Sequence, residues 1–232
     1  MLGSGLQTLS AASTHGVDLK TFIFPGVVCM GALFTGIFSA ASLVWDRELG
    51  FLKELLVAPV SRSSIVIGKC LGGATTASSQ GMIMLALAGL ADVPYDPLLI
   101  LGVCGLLLLF SFTVTAFGVL VAVRIKQAQT FTHVVQMFVL PMFFLSGALY
   151  PISGLPSWLE VLNRINPLTY AVDPVRNVVF SHLDISETAR RTLDPGVSWW
   201  GWHLPPAFAA GLVLLLGLAI MGVAIRSFSR TE

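Results

Sequence analysis

Residues 98–123 read LLILGVCGLLLLFSFTVTAFGVLVAV, without a single charged side chain. About 20 such residues, each adding about 1.5 Å of helix, are enough to cross the ~30 Å hydrocarbon core of a bilayer. Lipid offers the backbone no hydrogen-bond partners, so a run of this length is expected to form an α-helix. A membrane β-strand would alternate over about ten residues, and this run does not. The stretch therefore predicts a helical membrane protein.

The composition of the whole chain supports the same class. Hydrophobic residues make up 55% of 232 residues and charged residues only 11%, against roughly 25% charged in soluble domains. The net charge of +1 shows no basic excess that would indicate a nucleic-acid partner. Cys29, Cys70 and Cys104 lie in or beside apolar runs, which favours small membrane-embedded side chains over disulfides or a metal site.

Further apolar runs flank the first one. We predict an all-α, polytopic membrane helix bundle that forms a single transmembrane domain over residues 1–232. The four additional predicted spans are Phe22–Trp45, Cys70–Leu90, Phe131–Ile152 and Leu204–Ile225.

Basic residues alternate between the connections, and this alternation predicts an orientation. The first and third connections and the C-terminal tail are basic, whereas the second has only acidic charges. We therefore expect the basic segments to be cytoplasmic. The N-terminus then lies outside with no span before it, so we expect a first helix to be missing. The charged residues, in chain order, are Arg47, Lys53, Arg62 and Lys69 in the first connection, Asp92 and Asp96 in the second, Arg124 and Lys126 in the third, and Arg226 and Arg230 in the tail.

The first connection contains the run DRELGFLKELLVAP, residues 46–59. Leu49, Leu52 and Leu56 are spaced as on one face of a helix, charged residues surround them, and Pro59 ends the helix. A short helix of this kind between two spans suits insertion into the cleft of a partner protein. The alternative is a helix that lies on the lipid surface.

The segment 153–203 precedes the last span. Trp158, Leu162 and Ile165 have helical spacing, and Asn166-Pro167 breaks the helix before a second stripe begins. We predict two short helices on the outer face, which tolerate membrane depth only when they pack against protein. A gating role and an interfacial hairpin, anchored by Trp158 and Tyr170, both remain open.

Polar groups inside the spans are few. Gln80 and Gln136 need partners, so each is expected to face another helix or a translocation path. Lys69, at the start of the second predicted span, is expected to snorkel to the inner interface. The sequence contains no Gly-x-x-x-x-Gly-Lys-Ser/Thr phosphate loop, and therefore the chain is expected to bind no ATP by that mechanism. No other cofactor or metal is expected.

Three separated motifs resemble the type-2 ATP-binding-cassette (ABC) export permeases, which include the daunorubicin-resistance and nodulation-export permeases. They are Glu48–Pro59 with Ser61-Arg62 after it, Phe24-Pro25-Gly26, and Asn166-Pro-Leu-Thr-Tyr170. They occur in family order, and the resemblance covers the chain from about Phe22 onwards. Such permeases have six spans, against five recognisable here. In them the first connection is the coupling helix, which docks on the nucleotide-binding subunit, and a helix pair precedes the last span.

The resemblance assigns roles to individual residues. It implies ATPase coupling by Asp46, Arg47, Glu48, Gly50, Phe51, Leu52, Lys53, Leu55 and Pro59, and an outer gate or re-entrant segment at Trp158, Asn166, Pro167 and Tyr170.

The function that this resemblance implies is that of a permease subunit of an ABC exporter in the cell membrane. It would export a drug-like or amphiphilic substrate, such as a lipid or glycan. An ATP-binding-cassette ATPase would carry ATP and Mg²⁺, and a second permease copy, identical or paralogous, would complete the path within the membrane lipid. The chain itself would not be an enzyme.

Two other functional classes fit the residues less well. A secondary transporter or channel commonly has midplane acids or repeated halves, and neither is visible here. An intramembrane serine protease would need Ser146 and His133 to meet. On one helix they lie roughly 140° and about 20 Å apart, so they cannot form a dyad.

Overall fold

The computed structural model describes residues 19–52, 54, 60–91, 93–149, 159, 161–163, 166–182, 198–199, 202–203 and 206–231. The described chain is almost entirely helical, which confirms the predicted all-α membrane bundle. The helices are α1 (Leu19–Ser39), α2 (Ala41–Glu48), α3 (Arg62–Ala86), a 3₁₀ turn (Ala88–Ala91), α4 (Pro97–Arg124), α5 (Ala128–Phe144), α6 (Thr169–Ser181) and α7 (Pro206–Thr231). Two short antiparallel strands, Ser198–Trp199 and Trp202–His203, precede α7.

The helical chain is organised as two compact units. The first contains the described parts of Met1–Met30, Gly81–Leu106 and Pro141–Gly211, and includes α6. The second contains those of Gly31–Gln80, Leu107–Leu140 and Leu212–Glu232, and includes α2.

Three stretches of the described chain are long and apolar enough to cross a membrane by length and composition: Lys20–Glu48, Pro97–Arg124 and Ala207–Arg230. They correspond to the first, third and fifth predicted spans. The second and fourth predicted spans overlap α3 and α5, which are not among these three stretches. Helix α3 begins at Arg62, about two turns before the predicted start, because Arg62, Ser63, Ser64 and Lys69 make this part too polar to count as a membrane span.

The first connection departs from the predicted single helix over Asp46–Pro59. Helix α2 ends at Glu48, and Gly50 follows with a positive φ of 84°. The amide of Gly50 donates to the carbonyl of Arg47, which closes the helix end. Glycine adopts this left-handed conformation without a Cβ clash. Asp46–Glu48 therefore belong to the end of α2 and Phe51 to a new segment, while residues 53 and 55–59 lie outside the described residues.

Helix α5 ends before the predicted boundary at Ile152. Its last helical residue is Phe144, and a turn follows through Gly147, whose φ is +70°. The second of the two short helices predicted before the last span is confirmed as α6. The first of them lies largely outside the described residues.

Close packing in the second unit depends on glycine. A Cβ built on Gly118 of α4 would lie 2.9 Å from the carbonyl oxygen of Ile37 in α1. The two helix backbones therefore approach at a point where no larger residue fits, as is common where membrane helices pack.

Candidate functional site

Three consecutive residues at the end of α2 each bind a different element of the second unit. Asp46 pairs with α3, Arg47 binds the end of α4, and Glu48 binds the start of α5. We call Asp46, Arg47, Glu48 and Lys69 the polar hub.

Arg47 caps the C-terminal end of α4. Its Nη1 donates to the carbonyl oxygens of Ala122 (3.1 Å) and Ile125 (2.7 Å), and its Nη2 donates to that of Val123 (3.3 Å). The last carbonyls of a helix have no partner within it and carry partial negative charge. A guanidinium satisfies several of them at once, because its donors form a planar fork.

Asp46 forms an ion pair with Lys69 of α3. The Asp46 Oδ2 and Lys69 Nζ atoms are 2.7 Å apart, and each side chain is only about a quarter exposed. The Lys69 ammonium also donates to Ser42 Oγ at 3.0 Å. The pair therefore joins α2 to α3 in a partly buried setting, where its attraction is screened less than on an open surface.

Glu48 binds the first residue of α5. Its Oε1 accepts the amide hydrogen of Ala128 at 3.2 Å. A carboxylate is favourable at a helix N-terminus, where the amides are unpaired and the dipole is positive. The hub thus places a cation at the end of α4 and an anion at the start of α5.

The side chains after the hub divide between the interior and the surface. Leu49 is 71% exposed and Phe51 53% exposed, whereas Leu52 is only 2% exposed. The predicted stripe through Leu49 and Leu52 is therefore wrong as a single exposed face, because the turn at Gly50 changes the direction of the chain. Gly50 has open space where a Cβ would be. We call Leu49, Gly50 and Phe51 the exposed tip.

In the first unit, side chains of the segment around α6 cap the broken end of α5. Asn163 Nδ2 donates to the carbonyl of Leu145 at 2.7 Å, and Asn166 Nδ2 donates to that of Met142. Arg176 Nη2 donates to the carbonyls of Gly147 (2.9 Å) and Ala148 (3.3 Å). We call Asn163, Asn166 and Arg176 the carbonyl clamp.

The clamp is buried and packed on aromatic rings. Arg176 is 2% exposed, and its guanidinium lies 4.3 Å from the centre of the Phe22 ring. The Phe22 ring lies 6.5 Å from that of Phe180. Such stacking stabilises a buried cation through the negative face of the ring. A buried, hydrogen-bonded cation of this kind holds the turn after α5 against α6.

The other predicted residues divide as follows. Tyr170 is only 6% exposed and Pro167 is half-buried, so Tyr170 does not face lipid as an interfacial anchor. Trp158, Lys53, Leu55 and Pro59 lie outside the described residues. Gln80 on α3 is half-buried and Gln136 on α5 is exposed. Within the described chain neither amide has a hydrogen-bond partner, and their path-lining role stays a prediction.

Comparison with known protein families identifies the family of this chain. A family model described as ABC-2 type transporter matches residues 2–180, which is well over half of the chain. The chain belongs to the ABC-2 type transporter family. With the apolar helices, this membership makes it a membrane protein and confirms the resemblance seen in the three motifs.

Individual relatives carry names of transport permeases. The ABC-2 chain is 32% identical over 163 residues to a Cyanophora paradoxa protein named as a transport permease, ycf38, covering 69% of this chain and 56% of that protein. It is 30% identical over 171 residues to YbhR of Escherichia coli, named as a multidrug ABC transporter permease. That match covers 70% of this chain and 44% of YbhR. It is 27% identical over 163 residues to YadH of Escherichia coli, named as an inner membrane transport permease. That match covers 70% of this chain and 63% of YadH. The ABC-2 chain spans about half the length of these relatives.

Sequence reasoning misses several residues of both sites in this ABC-2 chain. The pattern predicts a snorkelling side chain at Lys69 rather than the partner of Asp46, and it assigns no role to Asn163 or Arg176. The signal for the hub is the unbroken Asp46-Arg47-Glu48 triplet directly after an apolar span. Three adjacent charges point in different directions around a helix and therefore need different partners.

The ion pair of the hub gives a first prediction. Asp46→Lys or Lys69→Asp alone places like charges together and is expected to lower the free energy of unfolding by about 1–3 kcal/mol. The exchanged pair, Asp46→Lys with Lys69→Asp, is expected to recover at least half of that loss, since the Ser42 hydroxyl also donates to a carboxylate. Thermal unfolding of the four proteins in detergent measures the coupling. Additive effects of the two changes would show that the pair contributes nothing.

Proposed function

We propose that this chain is the membrane-spanning permease subunit of an ABC exporter, powered by a separate ATP-binding-cassette ATPase that docks on the exposed tip. The observation that carries the proposal is the polar hub, where three consecutive residues join one connection to α3, α4 and α5. The name of YbhR as an ABC transporter permease supports the same class.

The hub suggests how a push on the tip reaches the spans. The exposed tip follows the hub directly in the chain, so displacement of the tip displaces Arg47 and Glu48 with it. Arg47 is bonded to the end of α4 and Glu48 to the start of α5, and the short linker between those helices moves with both. Nucleotide binding to the ATPase shifts the conformation only by its differential affinity for the two states.

The remaining assignments follow from this proposal. The first connection and the C-terminus face the cytoplasm, where the ATPase with its ATP and Mg²⁺ is located, and the chain lies in the cell membrane. A second permease copy completes the path. Exposed apolar faces on α5 and α7 include Met137 and Leu215, and these contact that copy or membrane lipid. An amphiphilic, drug-like substrate is exported, and the segment with Trp158, Asn166, Pro167 and Tyr170 serves as the outer gate.

The docking surface is tested by a charge placed on the exposed tip. Phe51→Asp is expected to reduce co-purification of the ATPase subunit about tenfold or more, because a carboxylate buried in the contact has no partner. The ATPase is identified by mass spectrometry of its phosphate-loop peptide, and membrane insertion is measured in parallel.

A matched control lies in the second connection. Leu90 is 76% exposed in the 3₁₀ turn, and Leu90→Asp makes the same chemical change on the side proposed to face away from the ATPase. This variant is expected to retain the ATPase fully. Equal retention by both variants would exclude the exposed tip as the docking surface.

A further inference from the structure

Three arginines lie in the second unit where α3 begins and α7 ends. Arg62, the first residue of α3, donates from Nη1 to the carbonyl oxygen of Ser229 at 3.2 Å. Ser229 lies in the last turn of α7, three residues after Arg226 and one before Arg230. Residues 226, 229 and 230 fall within roughly 100° of arc on a helix, so the guanidinium of Arg62 approaches the side that carries the other two. We call Arg62, Arg226 and Arg230 the basic corner.

Within the described residues, no carboxylate balances the charges of the basic corner. All three arginines are exposed, and in the part of the chain that the structure describes none of them pairs with a carboxylate. The hub is different, because Lys69 has Asp46 at 2.7 Å and Arg47 has three carbonyl oxygens. Exposed arginines that have no carboxylate partner among the described residues are available to bind an external anion.

The face of α7 that precedes the basic corner in the chain is apolar. Leu216, Ala219 and Val223 precede Arg226 and Arg230 at intervals of three and four residues, and all five are exposed. This spacing places them on one face of α7. The face therefore changes from apolar to basic within the last two turns of the helix.

An apolar stripe that ends in exposed arginines matches the chemistry of one class of ligand. Acyl chains fit the stripe, and a phosphate-bearing headgroup fits guanidinium groups, which bind phosphate through paired N–H donors. A soluble anion uses the arginines but not the stripe. We propose that the basic corner binds the headgroup of an anionic phospholipid whose chains lie along α7. This inference extends the proposed function by placing that lipid in the leaflet nearest the ATPase.

The experiment measures lipid retention by the purified full chain. The protein in detergent is mixed with equal amounts of phosphatidylglycerol and phosphatidylcholine that have the same acyl chains, and native mass spectrometry counts the bound lipids. We expect wild type to prefer phosphatidylglycerol about tenfold or more. Arg226→Gln with Arg230→Gln is expected to remove most of that preference, and Arg226→Lys with Arg230→Lys to preserve much of it, because a lysine retains the charge.

A second double variant separates a local site from a general effect of charge. Arg124→Gln with Lys126→Gln removes two exposed positive charges, one from the last residue of α4 and one from the connection that follows it. It is expected to keep the lipid preference, and inorganic phosphate at the same concentration is expected not to displace the lipid. The proposal is overturned if wild type shows no preference, if both glutamine variants lose it equally, or if phosphate competes as well as lipid does.

The measurement of lipid retention does not depend on transport activity. Retention is measured without ATPase, nucleotide or cargo, so its failure leaves the proposed function standing. A failure of ATPase docking leaves the lipid result standing in the same way.

Discussion

Under the proposed function, replacing Arg47 by alanine is expected to abolish ATP-coupled transport and to lower the free energy of unfolding by about 2–4 kcal/mol. The change leaves the carbonyls of Ala122, Val123 and Ile125 without the guanidinium that they share. Charge-assisted hydrogen bonds are roughly twice as strong as neutral ones, and loss of one partner leaves the other uncompensated. The fold and the coupling are expected to weaken together, because one side chain serves both.

Two measurements check this expectation. Thermal unfolding in detergent reports stability, and substrate flux in proteoliposomes that contain the co-purified ATPase reports transport. Arg47→Lys is expected to be intermediate, because an ammonium does not reproduce the planar fork. Arg124 is an exposed arginine at the end of the same helix, and Arg124→Ala is expected to change stability by less than about 0.5 kcal/mol. Normal flux in Arg47→Ala would remove the hub from the coupling mechanism.

Replacing Gly26 by alanine is expected to destabilise the first unit by about 1–3 kcal/mol. A Cβ at Gly26 would lie 2.6 Å from the carbonyl oxygen of Ala148 and 2.7 Å from its Cβ. The neighbour is backbone, and its carbonyl also accepts a hydrogen bond from Arg176 in the carbonyl clamp. The turn after α5 therefore has little freedom to move away, and Gly26→Val is expected to be worse still.

Gly105 provides the control for this change. It lies in α4, is exposed, and leaves open space of at least 4 Å around the position that a Cβ would take. Gly105→Ala is expected to be neutral or to stabilise by up to about 1 kcal/mol, since alanine favours helix. The two variants are compared by thermal unfolding in the same detergent. Equal stability of the two would show that the contact between Gly26 and Ala148 is not close in solution.

The two sites differ in how far the sequence predicts them. The motif around Asp46-Arg47-Glu48 indicates a coupling segment whose charges face a partner, whereas the structure binds all three within the chain. The same pattern places Leu52 on the docking face, and it is buried. A helical wheel assumes one unbroken helix, and a single glycine with positive φ at residue 50 invalidates that assumption.

The carbonyl clamp also shows what a local sequence pattern does not predict. Asn166 with Pro167 predicts a helix break, and the turn before α6 agrees with it. The Met142 carbonyl that Asn166 binds lies in another helix, and the carbonyls that Arg176 binds lie 28 and 29 residues away in the chain. No spacing rule connects residues at such separations.

The sequence alone determined that this is a membrane protein, its helical class, the approximate positions of its long apolar helices and its family. Each of these depends on the composition of about 20 neighbouring residues or on short motifs. The free energy of transferring a segment into lipid is approximately a sum over the side chains of that segment. Tertiary structure alone decided which polar groups meet: Asp46 with Lys69, Arg47 with the end of α4, and Arg176 with the turn after α5. Pairing of this kind depends on how closely distant helices approach, and that distance is set by packing along their whole length.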